Sequence, residues 1–115
     1  MHMDALKGHL DGLLMAVVAD GPSHGYAIIE QLRRRSLGAF DLPEGTIYPA
    51  LHRLEHAGLL ASEWVREDGR KRRLYRLTAK GRTALAASKR DWRGFAQAVE
   101  AVFGGAPEAT PGAAP

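Results

Sequence analysis

Apolar residues in the first third of the chain recur every three or four positions, as they do along one side of an amphipathic helix. The spacing predicts a first helix that Asp4 would cap and that runs to about Ala19. Gly21 and Pro22 would end it, because glycine accepts a left-handed cap and proline cannot continue a helix. A second helix is predicted over residues 24–35, with Ser23 as its N-cap. The apolar positions of the two helices are Leu6, Leu10, Leu13, Leu14, Val17, Val18, Ile28, Ile29 and Leu32.

A third helical pattern spans residues 43–58 and contains Pro49. Proline is tolerated in the first turn of a helix, where its missing N–H would have no helical partner. The helix proper is therefore predicted to begin near Gly45 or Thr46, with Thr46 as a candidate cap. Gly58 is expected to end it. One face is apolar, and the opposite face carries Tyr48, Pro49, His52, Arg53 and His56.

The next segment has the pattern of a β-hairpin followed by a long helix. Strands are predicted over residues 59–67 and 70–77, joined at Asp68 and Gly69, a pair typical of a type I′ turn. Thr78 would cap a last helix over residues 79–103, whose first turn Gly81 should weaken.

The last helix carries a heptad-like apolar seam, which implies a partner helix. At about 25 residues, or ~37 Å, it is longer than a small domain can cover. A homodimer built on this helix is therefore expected, with a contribution from the first helix. The predicted interface residues are Leu10, Leu14, Leu85, Trp92, Phe95, Val99 and Val102, with Ser88 as a polar exception in the seam.

Composition indicates one small domain in a chain of 115 residues, 45% hydrophobic and 25% charged. Cysteine is absent, which excludes disulfides and thiolate chemistry, and no apolar run approaches the ~20 residues of a membrane span. A cytoplasmic location is the simplest expectation. The net charge is +3, yet residues 66–82 contain eight basic and two acidic side chains. Such clustering suggests a polyanionic partner.

A helix followed at once by a basic hairpin is typical of a winged helix-turn-helix that binds double-stranded DNA. The predicted fold is mainly α with a β-hairpin: a DNA-binding domain over residues 4–78, a dimerisation helix over 79–103 and a disordered tail over 104–115. Arg53 could contact guanine in the major groove, while Arg73 could instead pair with an acid inside the domain. The candidate DNA-binding residues are Thr46, Tyr48, Pro49, His52, Arg53, Arg70, Lys71, Arg72 and Arg73.

Catalysis and metal binding have little support in the sequence. His52 and His56 have a spacing that can place two imidazoles on one metal ion, but no third ligand lies nearby. No phosphate-binding glycine loop or nucleophile elbow is present. We therefore expect a protein that is not an enzyme and that has no catalytic residues, metal or cofactor.

Three segments, HGYAI at 24–28, GTIYPALHRLEHAGL at 45–59 and RLYRLTAKG at 73–81, together resemble the PadR family of bacterial transcriptional regulators. The resemblance covers about residues 6–103 and is closest to the subfamily with a single long C-terminal helix. It implies a winged-helix homodimer that represses transcription from inverted half-sites and is often released by a small ligand.

In some members of that subfamily, flat aromatic drugs lie between two tryptophans at the dimer interface. Trp92 resembles such a tryptophan in position, which implies an aromatic or cationic effector. The alternative function is a winged-helix module that binds proteins, or nucleic acid without sequence preference, and has no ligand control.

Overall fold

The computed structural model describes residue 6 and residues 8–105. In chain order the elements are α1 (Leu10–Ala19), β1 (Ser23–His24), α2 (Gly25–Arg35), α3 (Glu44–His56), β2 (Leu60–Glu67), β3 (Arg70–Leu77) and α4 (Ala79–Phe103). The strands form an antiparallel sheet in the order β1-β3-β2. This arrangement of helices, hairpin and long terminal helix confirms the predicted fold class.

Helix α1 begins at Leu10, six residues after the predicted cap at Asp4. Gly8 and His9 form a turn, and His9, with φ −120° and ψ −5°, is the N-cap residue of α1. The prediction of one unbroken helix over 4–19 is therefore wrong, since periodicity cannot register a single turn between helical segments. Asp4 lies outside the described residues, as does the predicted tail from residue 106 onward.

Strand β1 is an element that the sequence pattern did not predict. Ser23 pairs with Tyr75 and His24 with Leu74, so this two-residue strand joins the hairpin as a third member of the sheet. Helix α2 consequently starts at Gly25 with His24 in the N-cap position, and the predicted Ser23 cap is wrong. A two-residue strand is too short to show an alternating pattern, so only its pairing reveals it.

Helix α3 runs from Glu44 to His56 with Pro49 in its second turn. Pro43 is the N-cap residue, and its carbonyl accepts hydrogen bonds from the amides of Thr46 and Ile47 at 3.0 and 3.2 Å. The helix therefore begins one residue before the predicted start near Gly45, and the predicted Thr46 cap is wrong. The helix continues through Pro49 without one backbone hydrogen bond, the one from position 49 to the Gly45 carbonyl.

The hairpin and the start of α4 follow the predicted local chemistry. Asp68 and Gly69 have φ of 50° and 75°, as a type I′ turn requires. The Thr78 hydroxyl caps α4 by accepting a hydrogen bond from the Gly81 amide at 3.0 Å. Gly81 itself is buried, and a Cβ there would collide with the Leu59 carbonyl oxygen. Glycine at this position thus permits a close approach of α4 to the chain before β2, a role that the sequence pattern did not predict.

The core lies between the helices and one face of the sheet. Its most deeply buried side chains are Leu14, Met15, Val18, Ile28, Ile47, Leu51, Leu54, Leu60 and Tyr75. Helix α4 contributes Gly81 and Leu85, and residues 86–103 include no buried side chain. Most of α4 therefore extends beyond the core of the single chain.

Three of the predicted interface residues belong to this core. Leu10, Leu14 and Leu85 are 8%, 0% and 7% exposed in the single chain, so they pack internally and offer no surface to a partner. Their assignment to the interface is corrected on that ground. Ser88, the polar exception in the apolar seam, also packs against the rest of its own chain. A Cβ at Gly12 of α1 would lie 3.0 Å from the Ser88 Cβ of α4. Small residues at both positions allow the two helices to pack closely.

Candidate nucleic-acid interface

A groove of about 930 Å³ lies between α3, the start of α2 and the hairpin. Among the described residues that line it, none is acidic. They combine basic, imidazole and aromatic side chains and comprise His24, Gly25, Tyr26, Tyr48, His52, Trp64, Arg70, Lys71, Arg72, Arg73 and Tyr75. The groove therefore brings together six of the nine candidate DNA-binding residues: Tyr48, His52 and the four basic residues of β3.

The register of the hairpin assigns those four basic residues to two faces. Side chains alternate along a strand, and Trp64 pairs with Arg73 while Arg66 pairs with Lys71. Lys71 and Arg73 thus share the face of β3 that carries the buried Tyr75 at its base. Arg70 and Arg72 lie on the other face. Arg70, Lys71 and Arg72 are all exposed and can bind a phosphate.

Arg73 is held by contacts inside the domain. Its Nε donates a hydrogen bond to Ser62 Oγ at 2.7 Å, and its Nη2 lies 3.4 Å from Glu55 Oε2 of α3. Ser62 also donates to Glu55 at 2.6 Å, and this bond, followed by the charge of Arg73, holds the pKa of the Glu55 carboxyl below its ordinary value. The structure therefore gives Arg73 the internal acid partner that was the alternative to DNA contact.

Tyr48 and His52 are the residues of α3 that line the groove. Tyr48 is half-buried against the start of α2, where a Cβ on Gly25 would collide with the tyrosine ring. Burial raises the pKa of the Tyr48 hydroxyl, which therefore remains a hydrogen-bond donor at neutral pH. His52 is exposed, whereas Thr46 and Pro49 lie on α3 outside the groove lining.

Arg53 points away from the groove towards α1. Its Nη2 donates to Asp11 Oδ1 at 2.5 Å, and both side chains are largely exposed, at 59% and 46%. The residue proposed to read guanine is therefore paired with a carboxylate in the free chain. Sequence analysis could not identify this pair, because the two residues are 42 positions apart.

Five residues that line the groove were absent from the candidate set: His24, Gly25, Tyr26, Trp64 and Tyr75. Tyr26 and Trp64 are large, and 64% and 60% exposed. His24 connects the start of α2 to the hairpin, with its Nε2 3.0 Å from Glu67 Oε2. For Trp64 the signal available in the sequence was an aromatic residue close to the basic run, whereas Tyr26 and His24 lie far from that run along the chain.

A second cluster of exposed side chains lies on α4. The His9 ring meets Trp92 edge-on with a centroid separation of 5.1 Å, and Phe95 lies 6.1 Å from Trp92. Trp92 and Phe95 are 50% and 57% exposed, and Val102 and Phe103 are more exposed still. We call the apolar surface formed by the half-buried Val99 and the exposed Trp92, Phe95, Val102 and Phe103 the α4 stripe. Across residue 6 and residues 8–105, no helix is long and apolar enough to cross a membrane.

The family model of the PadR-like transcriptional regulators matches residues 14–87, from within α1 through the first turns of α4. The chain belongs to the PadR-like family of transcriptional regulators. The matched span of this PadR-like chain includes α3, the whole hairpin and every residue that lines the groove. The family is one of transcriptional regulators, which is consistent with the expectation of a protein that is not an enzyme.

Related proteins resemble this PadR-like chain over most of their length. Over 72 residues it is 46% identical to the transcriptional regulator Rv3488 of Mycobacterium tuberculosis, a match covering 63% of this chain and 64% of that protein. A PadR family regulator from Clostridium difficile is 31% identical with a TM-score of 0.75, covering 83% of this chain and 98% of the other. One from Eggerthella lenta is 29% identical with a TM-score of 0.78, covering 88% and 87%.

Proposed function

We propose that this PadR-like protein is a repressor that binds DNA as a homodimer on inverted half-sites. The observation that carries the proposal is the groove between α3 and the hairpin, whose described lining holds four basic residues, two histidines and no acid. Arg70, Lys71 and Arg72 supply phosphate contacts, which set affinity and register. His52 and Tyr48 on α3 are available to base edges or backbone.

The homodimer is supported by the α4 stripe. Beyond Leu85, α4 contributes no buried side chain to its own chain, yet it exposes three aromatic rings and Val102 along one side. An exposed apolar stripe at helical spacing indicates a partner helix. Two copies of α3 related by a two-fold axis would then read half-sites about one helical turn apart, ~34 Å.

The salt dependence of DNA binding tests the proposal. A dimer with roughly six phosphate contacts should show a slope of about −5 for log K against log salt. Replacing Arg70 and Lys71 by alanine should weaken binding to every duplex and flatten the slope. The matched control is the double replacement of Lys89 and Arg90 on α4, which removes the same charge far from the groove. Equal effects of the two double variants in a fluorescence anisotropy titration would argue against the groove.

Sequence preference distinguishes a repressor from a non-specific nucleic-acid-binding module. The DNA upstream of the protein's own gene is a suitable first duplex, with a shuffled duplex of equal composition as the control. Specific complexes are typically at least a thousandfold tighter than non-specific ones at physiological salt. Equal affinity for both duplexes would point to the module without sequence preference.

An aromatic or cationic effector at Trp92 completes the proposal. The indole lies beside His9 and Phe95 in a half-exposed cluster, which suits stacking of a flat ring between two subunits. In a Trp64→Phe variant the remaining tryptophan is Trp92, so its emission reports on this cluster alone. Binding of an aromatic compound should change that emission and weaken DNA binding. An unchanged emission across a panel of such compounds would count against an effector.

A further inference from the structure

We propose that Trp64 contacts the sugar–phosphate backbone of bound DNA, and that Arg73 is the positioning residue that holds the indole in place. This inference rests on the proposed DNA-binding function. It changes the role of Arg73, which the sequence suggested as a phosphate ligand.

Trp64 is unusually exposed for a tryptophan. Its side chain is 60% exposed on β2, although tryptophan is on average highly buried in folded proteins. It does not project into open solvent, because it lines the groove together with Tyr48, His52 and the basic residues of β3. A large, exposed apolar ring beside a basic groove is typical of a binding surface.

Arg73 contacts the Trp64 ring and is itself held by two other side chains. Its guanidinium lies 5.2 Å from the centre of the Trp64 ring, within cation–π range, and the two residues are cross-strand partners. The same guanidinium is fixed by Ser62 and Glu55. The indole is therefore connected to α3 through Arg73 and Glu55, and its position relative to α3 is set before DNA binds.

The same contacts make Arg73 a poor phosphate ligand. Its charge faces the carboxylate of Glu55, whose pKa is lowered and which is therefore ionised at neutral pH. A phosphate would have to displace that carboxylate. Arg70, Lys71 and Arg72 have exposed side chains and meet phosphate without such competition.

The chemistry of the groove identifies the partner as a nucleic-acid backbone. That backbone combines phosphate anions with apolar deoxyribose faces, and the groove combines basic side chains with the exposed rings of Trp64 and Tyr26. A second copy of this chain would bring an equally basic lining, which like charges disfavour. An acidic protein would match the charges but would offer no regular apolar surface beside each anion.

Single-tryptophan variants test the contact directly. Trp92→Phe leaves Trp64 as the remaining indole, and Trp64→Phe leaves Trp92. With a mixed-sequence duplex of about three helical turns at low salt, DNA saturation should lower acrylamide quenching of Trp64 at least twofold and leave that of Trp92 unchanged. Unchanged quenching of Trp64 at saturating duplex would overturn the proposal. Titration with poly-glutamate provides the polyanion control: equal protection of Trp64 by it would assign the surface to acidic protein.

Variants at position 64 measure what the indole contributes to binding. Trp64→Ala should weaken DNA binding about fivefold, and Trp64→Phe about twofold because a ring is retained. Both should keep the slope of log K against log salt, since every basic side chain that meets phosphate is still present. Thermal unfolding should change little, because the side chain is mostly exposed. Full affinity in the alanine variant would contradict the role assigned to Trp64.

The role of Arg73 is tested against that of Arg70. Arg70→Gln should flatten the salt slope by about 0.9 for each phosphate that is no longer neutralised. Arg73→Gln should leave the slope unchanged but raise acrylamide quenching of Trp64 in the free protein. Arg73→Lys should resemble the glutamine variant, because lysine keeps the charge but lacks the planar surface that stacks on the indole. A slope flattened equally by Arg73→Gln and Arg70→Gln would make Arg73 a phosphate ligand.

The outcomes separate this inference from the function on which it rests. Failure of the parent protein to shift duplex DNA would refute the proposed function itself. DNA binding that leaves Trp64 as accessible as before would refute the assigned contact alone, with the repressor proposal intact.

Discussion

Arg53 and Arg73 were both candidate DNA-binding residues in the sequence. In the structure each forms an ion pair with a different carboxylate. Arg73 lies on β3 and pairs with Glu55 of α3, while Arg53 lies on α3 and pairs with Asp11 of α1. The Arg53 pair is largely exposed, and such pairs contribute only about 0.2–1 kcal/mol. In the proposed DNA complex, Arg53 would therefore exchange Asp11 for a base or a phosphate at small cost, with Asp11 as the competing partner in the free chain.

The variant Asp11→Asn should increase DNA affinity. Removing the carboxylate frees Arg53, and the pair energy corresponds to an increase of roughly 1.5- to 5-fold for each subunit. The control is Asp20→Asn, which changes the net charge equally but frees Arg35, the exposed partner of Asp20 at 2.8 Å. Anisotropy titrations of both variants at one salt concentration provide the measurement. Equal gains would mean that net charge, and not release of Arg53, is responsible.

Glu55 makes the stability of the fold dependent on pH. Hydrogen bonds from Ser62 and Arg73 lower its pKa in the folded state, so its contribution is complete above the unfolded-state pKa, about 4.3, and disappears as the pH falls through the folded-state value. Glu55→Gln should lose about 1 kcal/mol at neutral pH, and the loss should shrink as the pH falls below about 4. Urea unfolding at several pH values measures this difference. The matched control is Glu63→Gln, which makes the same change at an exposed position of the neighbouring strand β2.

Two glycines show how differently α4 is used along its length. Gly81 lies against the Leu59 carbonyl and the Leu77 side chain, whereas an added Cβ at Gly94 would have no neighbour within 4 Å. The first turns of the helix are thus packed against the sheet, whereas position 94 faces open space. The function of the helix changes between these positions, from closing the core to presenting a surface.

Alanine at the two glycines should therefore change stability in opposite directions. Gly81→Ala forces the backbone of α4 and the Leu59 carbonyl apart and should destabilise the protein by about 3 kcal/mol. Gly94→Ala removes the low helix propensity of glycine without a clash and should stabilise the protein by up to about 1 kcal/mol. Both variants carry the same chemical change in the same helix. A shift of the unfolding midpoint temperature in the same direction for both variants would contradict this packing of α4.

The α4 stripe determines how the whole molecule is expected to assemble. Phe95 and Val102 are 57% and 76% exposed, on a part of α4 without buried side chains. Aspartate at either position should give a monomer, since a charge in an apolar helix interface has no partner. Gln97→Asp, on the opposite side of α4, should leave the dimer intact. Sedimentation velocity provides the measurement, and a parent protein that sediments as a monomer would refute the proposed dimer.

Circular dichroism completes that experiment. The core of the single chain does not include the α4 stripe, so the two aspartate variants should retain the helical spectrum of the parent protein. Each monomer should still bind DNA non-specifically through its groove, but it should lose the preference for paired half-sites, because that preference requires two copies of α3 at a fixed separation.

Several features of this protein were determined by sequence over short distances. The turn at Asp68 and Gly69 needs two residues with positive φ, and the Thr78 cap needs a hydroxyl three positions before an amide. Strand β3 and α4 consequently have the predicted bounds. Three local motifs were enough to indicate the family, and the family match covers the groove.

Other features were decided by the tertiary structure alone. The strand β1 exists because β3 offers it an open edge, and α3 continues through Pro49 although a local rule predicted a later start. The partners of Arg53 and Arg73 lie 42 and 18 residues away, and Leu10, Leu14 and Leu85 became core residues because α1 and α4 pack together. Capping and turn chemistry act within a few residues, so the sequence displays them directly. The choice of a partner depends on distances between remote segments, which exist only once the chain has folded.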